Sequence, residues 1–536
     1  MGASSSTDQV SREQQEVESL AASTGALPML QKAFFKLSDP QTKAVPLKSL
    51  KECFCLTFAN PISEASPVPE CFPGLLSHLG SSIVDLFFRA GEGGVNWIEF
   101  LRGYIRCCGR MSVSISLNTL YRLYAATGVP TKVEFESDDA DSKISGSFTP
   151  TDVLMLLWMC WTMLSDSRNL KSSEGKAKLD LPDINHLVLS AVISCTEIGD
   201  TLNVWDFSIS GLEVQLPAGK LHMWALTTAP SLTNCFTQFV HVRLQKCGTS
   251  EEDELQPSSS SAGDISSTEA HDTHILTRGR AWAISLTLRN SLSEELLKVC
   301  FPKDGDGAYE NLLYRTSLHG KGLNRFWSNI EGYHGPLLML ISASSRNDHE
   351  GGGTNVGRWV IGVLTLQGFE NRDMFYGSSG YLYSLSPIFH VFSHSGKEKN
   401  FVYSHLHPTS RVYEPQPKPV GIGFGGTVGN ERISVDEDFA KVTVRHHAVD
   451  KTYQPGSLIP NQGFLPSEAL VLEVEVWGLG GEKPKEEQSA YKNREQLFTQ
   501  QRRKVDLKTF ANWDDSPEKV MMDMVSAPNR VQREAR

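Results

Sequence analysis

The pattern of hydrophobic and polar positions divides this chain of 536 residues into a helical part, a polar segment and a strand-rich part. From about residue 27 to 247, apolar residues recur at three- and four-residue spacing, as in WIEFLRGYIRCC (97–108), which is typical of amphipathic helices. Residues 248–272 are acidic, rich in serine and nearly free of apolar side chains, so we expect a disordered linker. Residues 1–26 are also polar and are predicted to be disordered apart from at most a short helix.

Strand patterns dominate after the linker. RWVIGVLTLQGF (358–369) and ALVLEVEVWGL (469–479) are rich in β-branched and aromatic residues, and the second alternates apolar and acidic positions. One helix is predicted between the strands, from Leu323 to Ile330. We therefore predict a multidomain α+β chain, with a mostly antiparallel β domain at 273–481 and a charged, helical extension at 482–536.

The longest apolar run is VLMLLWMCWTML, residues 153–164. A helix that crosses a bilayer needs about 20 apolar residues. This run therefore predicts a buried helix of the helical part, and no transmembrane segment is predicted.

Composition and charge narrow the classes of function. The length suggests about three or four domains. The formal net charge of −11, without a basic run, argues against nucleic-acid binding. The ten cysteines form no C-x-x-C pair and no secretory signal is recognised, which favours reduced thiols and a cytoplasmic setting.

Two stretches have the spacing of EF-hand calcium loops, FRAGEGGVNWIE (88–99) and DSKISGSFTPTD (141–152). Both keep the glycine at position 6 and an acid at position 12, but the first has Phe and Ala at ligand positions, and the second has Lys at position 3. We predict EF-hand-like helices that have lost tight calcium binding, with chance alignment as the alternative. Weak calcium binding is the only cofactor expected, and its candidate ligands are Asp141, Ser145 and Asp152.

Gly421, Gly423 and Gly426 match G-x-G-x-x-G, a pattern that binds dinucleotides when it follows a strand and opens a helix. Here EPQPKPV precedes it, and three prolines in seven residues exclude an interior strand. ERISVDEDF follows it and is not an amphipathic helix. The glycines are therefore predicted to serve sheet architecture, by close backbone approach or a positive φ in a bulged turn.

Other candidate chemistry is weak. Four histidines cluster in the sequence, but no acidic or cysteine partner has a recognisable metal-ligand spacing, and surface or core roles are favoured: His390, His394, His405 and His407. No G-x-S-x-G nucleophile elbow occurs. The acidic run 436–438 is interpreted as a solvated turn. No catalytic residue is predicted.

The N-terminal MGASSS fits the myristoylation pattern, with Gly2 as the acceptor once Met1 is removed. A disordered serine-rich leader is the alternative. One acyl chain binds membranes only marginally, so a second attachment is expected from a protein partner.

Several ordered motifs resemble the TLDc domain family over about 200 residues: GFGG (423–426), VDEDF (435–439), LEVEVWG (472–478) and FYGSSGYLYSL (375–385). LLYRTSLHGKGLNRFW (312–327) is similar to an earlier segment of the family, whereas Lys321, Tyr381 and Tyr383 depart from its pattern. The positions carried over as structural motif residues are Phe375, Tyr376, Gly377, Gly423, Phe424, Gly425, Gly426, Asp438, Glu475, Trp477 and Gly478.

The resemblance implies a β-sandwich flanked by helices, without an established catalytic set. It also implies binding to the vacuolar-type proton ATPase, regulation of that pump, and links to oxidative-stress resistance and TOR signalling. The order of acylation motif, EF-hand-like region, TLDc domain and charged tail is most similar to members that are myristoylated, associated with mTOR and linked to the lysosome. A cytoplasmic protein, peripheral on lysosomal or vacuolar membranes, is therefore expected.

The first hypothesis is a non-catalytic regulator that docks on the pump through the TLDc domain and the tail, where the apolar positions are Val520, Met521 and Met524. One alternative is a cofactor-free hydrolase or a peroxide-handling enzyme, although no cysteine follows Cys300 in the β domain. Another is a calcium-responsive sensor.

Overall fold

The structure is a computed structural model of the chain, and it describes residues 5–56, 58, 61–63, 66–91, 93–137, 144–168, 179–197, 202–205, 208–209, 211–249, 274–289, 291–302, 310–345, 357–406, 417–511, 519 and 521. Six residues named above lie outside these ranges: Met1, Gly2, Asp141, His407, Val520 and Met524. The predicted linker also lies outside them, except for Gly248 and Thr249.

The first half of the chain is helical, as predicted. Its helices are α1 Ser5–Ser23, α2 Leu27–Leu37, α3 Leu47–Cys53, α4 Phe72–Phe87, α5 Trp97–Cys108, α6 Val113–Ala126, α7 Pro150–Arg168, α8 Asn185–Cys195, α9 Ala218–Thr228, α10 Asn234–Gly248, α11 Arg278–Thr287 and α12 Ser291–Cys300. The short strands are β1 Ile62–Ser63, β2 Lys132–Phe135, β3 Ile144–Phe148, β4 Asp180–Leu181 and β5 Leu216–Pro217. The run 153–164 lies in α7 and is buried on all sides, which confirms the predicted buried helix.

The N-terminal segment differs from the prediction of disorder, since α1 is a helix of 19 residues. Val17 and Ala21 are buried in the core. Trp97 Nε1 in α5 donates a hydrogen bond to Glu18 Oε1 at 2.8 Å. The helix is therefore held by partners distant in sequence, which its polar composition does not reveal.

Two pairs of helix–loop–helix units make up most of the helical part. The loops α2–α3 and α4–α5 are joined by an antiparallel bridge, in which Val45 and Val95 exchange two N–H···O bonds of 2.9 Å. The stretch 88–99 therefore has the helix–loop–helix geometry predicted for it. The loop between α2 and α3, which pairs with it, was not predicted. In the second pair, β3 lies between α6 and α7 and is hydrogen bonded to β5, which precedes α9. Phe148 of β3 lies opposite Leu216 of β5.

The second half forms one curled antiparallel sheet. Its strands are β6 Leu312–Arg315, β7 Leu337–Ser344, β8 Arg358–Thr365, β9 Arg372–Tyr376, β10 Gly380–Ser386, β11 His390–Ser393, β12 Val402–His405, β13 Gly421–Thr427, β14 Asn430–Val435, β15 Lys441–Val444 and β16 Ser467–Gly478. The order is β11-β10-β8-β7-β16-β15-β14-β13-β12-β9, with β6 also paired to β16. Among the described residues, three α-helices accompany it: α13 Thr316–His319, α14 Leu323–Ile330 and α15 Glu482–Ala511. The antiparallel sheet and the helix at 323–330 confirm the predicted fold class.

The two faces of the sheet belong to two cores. In β7, Leu337, Met339 and Ile341 face the inside of the curled sheet, where α14 packs. Leu338 and Leu340 face the helical half and share its core. Residues 278–287 and 291–300, which the sequence pattern places in the β domain, form α11 and α12 and pack on α7, with the rings of Trp161 and Trp282 5.5 Å apart. No described helix is both long and apolar enough to cross a membrane.

His186 lies where the helical half meets the sheet. Its ring packs against Phe389, with centroids 6.0 Å apart, and its buried Nε2 has no hydrogen-bond partner among the described residues. Burial, assisted by the charge of Arg280, lowers the pKa of His186 from 6.5 to about 3. The imidazole is therefore neutral in the folded protein at neutral pH.

Acidification is expected to destabilise the protein through His186. Between pH 6.5 and 3 the unfolded chain binds this proton and the folded chain does not, so stability falls as the pH falls. At about 1.4 kcal/mol per pH unit, lowering the pH from 7 to 5 costs about 2 kcal/mol. Urea unfolding at the two pH values measures this loss, and His186→Gln should reduce it relative to the exposed control His78→Gln. Equal losses in the two variants would contradict the assignment.

Candidate docking site

The glycine-rich stretch forms β13, between β12 and β14, and does not open a helix. The N–H of Gly425 donates to Asn400 O and that of Gly426 to Asp450 Oδ1, both at 3.0 Å. These donors are therefore not available to a phosphate. Gly425 has φ +66°, and a Cβ there would lie 2.6 Å from Asp450 Oδ2, so glycine allows the Asp450 side chain to approach the strand.

Asp450 belongs to a fully buried ion pair that sequence analysis did not identify. Its Oδ2 accepts from Arg432 Nη1 at 3.3 Å, and its Oδ1 also accepts from the N–H of Thr452 at 2.7 Å. Arg432 donates further to the carbonyls of Gln454 and Gly456, at 2.8 and 2.7 Å. Burial lowers the pKa of Arg432, and the Asp450 carboxylate opposes that shift. The pair ties β13 and β14 to the 450–456 loop.

Glu475 of β16 is a second buried charge, with a side chain 0% exposed. Its carboxylate accepts from the N–H groups of Ile275 and Leu276, at 2.9 and 3.1 Å, and from Trp477 Nε1 at 3.0 Å. His274 Nδ1 lies 3.2 Å away and Arg315 Nε 3.6 Å away. The carboxylate therefore fixes the segment that enters α11 to the centre of the sheet.

The electrostatics of Glu475 do not suit proton transfer. Burial alone would raise the pKa of Glu475, but the hydrogen bonds from His274, Ile275, Trp477 and Leu276 lower it overall. A general base needs a pKa near the working pH and access to substrate. Glu475 has neither property.

The other motif residues also lie within the architecture. Tyr376 of β9 accepts from the N–H of Glu370 at 2.8 Å, and its hydroxyl is 2.5 Å from Ser404 Oγ of β12. Phe375 packs near Tyr403, with ring centroids 5.7 Å apart. Because β9, β12 and β13 are neighbours, the sheet brings these residues close to the glycine motif, whereas Glu475, Trp477 and Gly478 lie apart in β16.

The acidic run 436–438 forms a turn between β14 and β15. Asp436 Oδ1 accepts from the N–H groups of Ala440 and Lys441, at 2.8 and 3.0 Å. Glu437 and Asp438 are exposed. The turn thus uses one acid to hold its own backbone and leaves the other two in solvent.

The described part of the chain contains no group of three histidine, cysteine or acidic side chains arranged to hold a metal. Of the calcium candidates, Ser145 lies in β3, with its hydroxyl 3.4 Å from Glu134 O. Asp152 is buried at the start of α7, where Oδ2 accepts from the N–H and hydroxyl of Thr149 and Oδ1 from the hydroxyl of Tyr124. The reciprocal bond from Asp152 N–H to Thr149 Oγ1 completes a capping box.

This geometry predicts that Asp152 acts as a helix cap. Asp152→Ala is expected to lower the free energy of unfolding by about 1–2 kcal/mol, as for loss of other helix caps. Chemical denaturation in calcium and in chelator measures the loss, which should be equal in the two conditions. A loss confined to calcium-containing buffer would instead identify Asp152 as a ligand.

The C-terminal helix α15 begins as part of the sheet domain. Tyr491 OH donates to Glu331 Oε1 at 3.0 Å, and the side chains of Gln488 and Lys492 donate to Asn329 O at 2.8 and 3.0 Å. The Tyr491 ring also packs over Gly332. These contacts attach the first three turns of the helix to the end of α14.

Beyond these contacts the helix projects from the domain. Every described side chain from Asn493 to Arg503 is exposed. Leu497 and Phe498 are exposed by 59% and 61% within this polar stretch, and we call them the α15 apolar pair. Sequence analysis placed the partner-binding positions further along, where only Met521 is described, 63% exposed. The adjacent Leu-Phe within EQLFTQQ was the missed signal.

Comparison with known protein families identifies the sheet half. The family profile of the TLDc domain matches residues 286–480. This region is a TLDc domain. The match confirms the family resemblance that the motifs indicated.

Three curated relatives are also similar to the chain, each named "Restriction of telomere capping protein 5". The proteins from Zygosaccharomyces rouxii and Kluyveromyces lactis are 26% and 27% identical over 139 and 145 residues, which is 26% of this chain and 25% of each relative. The Lachancea thermotolerans protein is 28% identical over 140 residues, 26% of this chain and 24% of the relative. The chain thus spans about a quarter of the length of each of these relatives.

Proposed function

We propose that this TLDc protein is a non-catalytic regulator that docks on the vacuolar-type proton ATPase through its TLDc domain and the projecting half of α15. The choice of partner follows from the family resemblance. The observation that carries the docking mode is the division of α15 into a part fixed to the domain by Gln488, Tyr491 and Lys492 and a part that presents the α15 apolar pair to solvent. A helix that leaves a folded domain with an apolar pair exposed is suited to docking in an apolar groove of a partner.

The expected energies favour several weak contacts acting together. Burial of Leu497 and Phe498 in a partner contributes about 1.5–3 kcal/mol each. One myristoyl chain on Gly2 gives marginal membrane binding. Linked contacts of this size raise the overall affinity because the second contact forms at a high effective concentration. On this proposal the protein is cytoplasmic and peripheral on lysosomal or vacuolar membranes, where oxidative-stress resistance and TOR signalling are the processes it would influence.

The charges of the TLDc domain support a structural role in place of a catalytic one. The carboxylates of Glu475 and Asp450 are buried and accept hydrogen bonds from backbone N–H groups of this chain. Both are thereby committed to holding the sheet together. A hydrolase or a peroxide-handling enzyme remains the competing outcome of the test below.

The test uses the full chain with Leu497→Asp and Phe498→Asp together. The control is Gln500→Asp with Gln501→Asp, which adds the same charge to the same exposed stretch of helix. Pull-down of the pump from solubilised lysosomal or vacuolar membranes should fall at least about tenfold for the first variant, since 1.4 kcal/mol corresponds to a factor of ten. The control should retain binding.

Three outcomes would redirect the proposal. Equal capture of the pump by the two variants would exclude the α15 apolar pair as the contact. Capture that requires calcium and is lost in chelator would favour the calcium-responsive sensor. Turnover of ester or peroxide by the full chain, without pump capture, would favour the enzyme.

A further inference from the structure

Two cysteines far apart in sequence meet in the helical half. Cys53 is the last residue of α3, and Cys247 lies in the last turn of α10. Their Sγ atoms are 2.8 Å apart, although 194 positions separate them in the chain. No C-x-x-C spacing marks this pair, because the fold alone brings the two thiols together.

The surroundings give the two thiols different characters. Cys53 is buried, 7% exposed, while Cys247 is only partly buried. The hydrogen bond between the thiols lowers the pKa of Cys247, and the cations of Arg243, Lys36 and Lys246 lower it further against the effect of burial. The same hydrogen bond, together with burial, raises the pKa of Cys53.

Arg243 is held in place by the fold. Its guanidinium donates to both carboxylate oxygens of Asp166 in α7, at 2.7 and 2.6 Å, and its backbone carbonyl lies 3.6 Å from Cys53 Sγ. A cation that favours the thiolate of a partly exposed cysteine and a second thiol in contact with it are features of reversible redox pairs.

We propose that Cys53 and Cys247 are a redox-active dithiol that a peroxide converts to an intramolecular disulfide. The Cys247 thiolate attacks one peroxide oxygen, so that an S–O bond forms, the O–O bond breaks, and the leaving hydroxide takes up a proton as water. Cys53 Sγ then attacks Cys247 Sγ and the S–S bond forms. The S–O bond breaks, and the second hydroxide leaves as water with the Cys53 proton. The dithiol loses two electrons and the peroxide gains them, and a low-molecular-weight thiol reverses the change by exchange.

The bond would fix the C-terminal end of α10. Lys36 Nζ of α2 donates to Thr249 O at 2.5 Å, directly after α10. A cross-link between α3 and α10 would hold this end of α10 on the first helix–loop–helix pair and close a long loop, which restricts the unfolded chain. The site lies outside the TLDc domain and does not depend on the proposed docking function.

The experiment maps the bond in the full chain. Reduced protein is treated with hydrogen peroxide, its free thiols are alkylated, and it is digested without reductant for mass spectrometry. The expected result is one peptide pair joined through Cys53 and Cys247, which disappears after dithiothreitol. The joined pair should persist in Cys55→Ser, which removes an exposed thiol two residues away, and should be lost in Cys53→Ser and Cys247→Ser.

Two further measurements separate this chemistry from incidental oxidation. In Cys53→Ser, a dimedone adduct on Cys247 should rise several-fold over wild type, because the resolving thiol is gone. The oxidised wild type should melt a few degrees higher than the reduced protein. A disulfide that joins other cysteines, or modification of Cys55 while Cys53 and Cys247 remain reduced, would overturn the proposal. The mapping of the bond in the wild-type chain does not depend on whether a variant folds.

Discussion

Replacing Glu475 by glutamine is expected to lower the free energy of unfolding by about 3–5 kcal/mol, the cost of removing one partner from a buried ion pair. The carboxylate accepts from Ile275, Leu276 and Trp477, and an amide of the same shape must turn its NH₂ group toward one of these donors. Arg315, 3.6 Å away, also loses a buried counter-charge. The effect should be large because no water replaces the lost acceptor at a side chain that is 0% exposed.

Urea or guanidinium unfolding of the full chain measures this loss. Glu468→Gln is the matched control, since it makes the same change in the same strand, at an exposed carboxylate 3.7 Å from Lys441, where about 0–1 kcal/mol is expected. The folded pKa of Glu475 is lowered, so its contribution is present above the ordinary pKa of 4.5 and is lost as the pH falls through the folded value. Glu475→Gln should therefore flatten acid denaturation below pH 4.5 as well. Similar losses in Glu475→Gln and Glu468→Gln would exclude the role given to Glu475.

Asp450→Asn is expected to cost a similar amount, about 3–5 kcal/mol, because it leaves the Arg432 guanidinium buried without a counter-charge. Both side chains are 0% exposed, and the new NH₂ group would face either Arg432 Nη1 or the N–H groups of Gly426 and Thr452. Thermal or chemical unfolding gives the loss. Glu398→Gln is the control, because its carboxylate pairs with Lys451 at 3.9 Å near the surface.

A double-mutant cycle isolates the pair itself. Arg432→Leu with Asp450→Asn should cost less than the sum of the two single changes, since the second change removes the charge that the first leaves unpaired. Strict additivity would show that Asp450 acts only as an acceptor for the backbone of the strand and loop.

The sequence pattern correctly predicted helices and strands whose formation depends on residues that are close together in the chain. Helical spacing identified α14, a composition rich in β-branched and aromatic residues identified β8, and alternation identified β16. Prolines before the glycine motif correctly excluded a dinucleotide loop, because proline cannot supply the donors of an interior strand. The motif resemblance singled out Glu475, but the pattern of β16 could not indicate that His274 and Ile275, 200 positions earlier, would supply its partners.

Features that depend on contacts between residues far apart in the sequence were not predicted. α1 depends on contacts such as that between Glu18 and Trp97, which a polar sequence conceals. The Arg432–Asp450 pair and the Cys53–Cys247 contact are separated by 18 and 194 positions, and neither has a signature along the chain. The α15 apolar pair was overlooked because two apolar residues in a charged helix do not form a periodic face, and only the structure reveals that nothing described covers them.

The core that Leu338 and Leu340 share with the helical half has a practical consequence for dissection of the protein. A fragment that begins at residue 273 would expose to water the face of the TLDc sheet that packs on the helical half. Trp282 would also lose its contact with Trp161. Such a fragment is expected to aggregate because it exposes a large apolar surface. A lack of binding or activity in the isolated TLDc domain would therefore not exclude that function in the intact protein. Point substitutions in the complete polypeptide are the sound way to assign its activities.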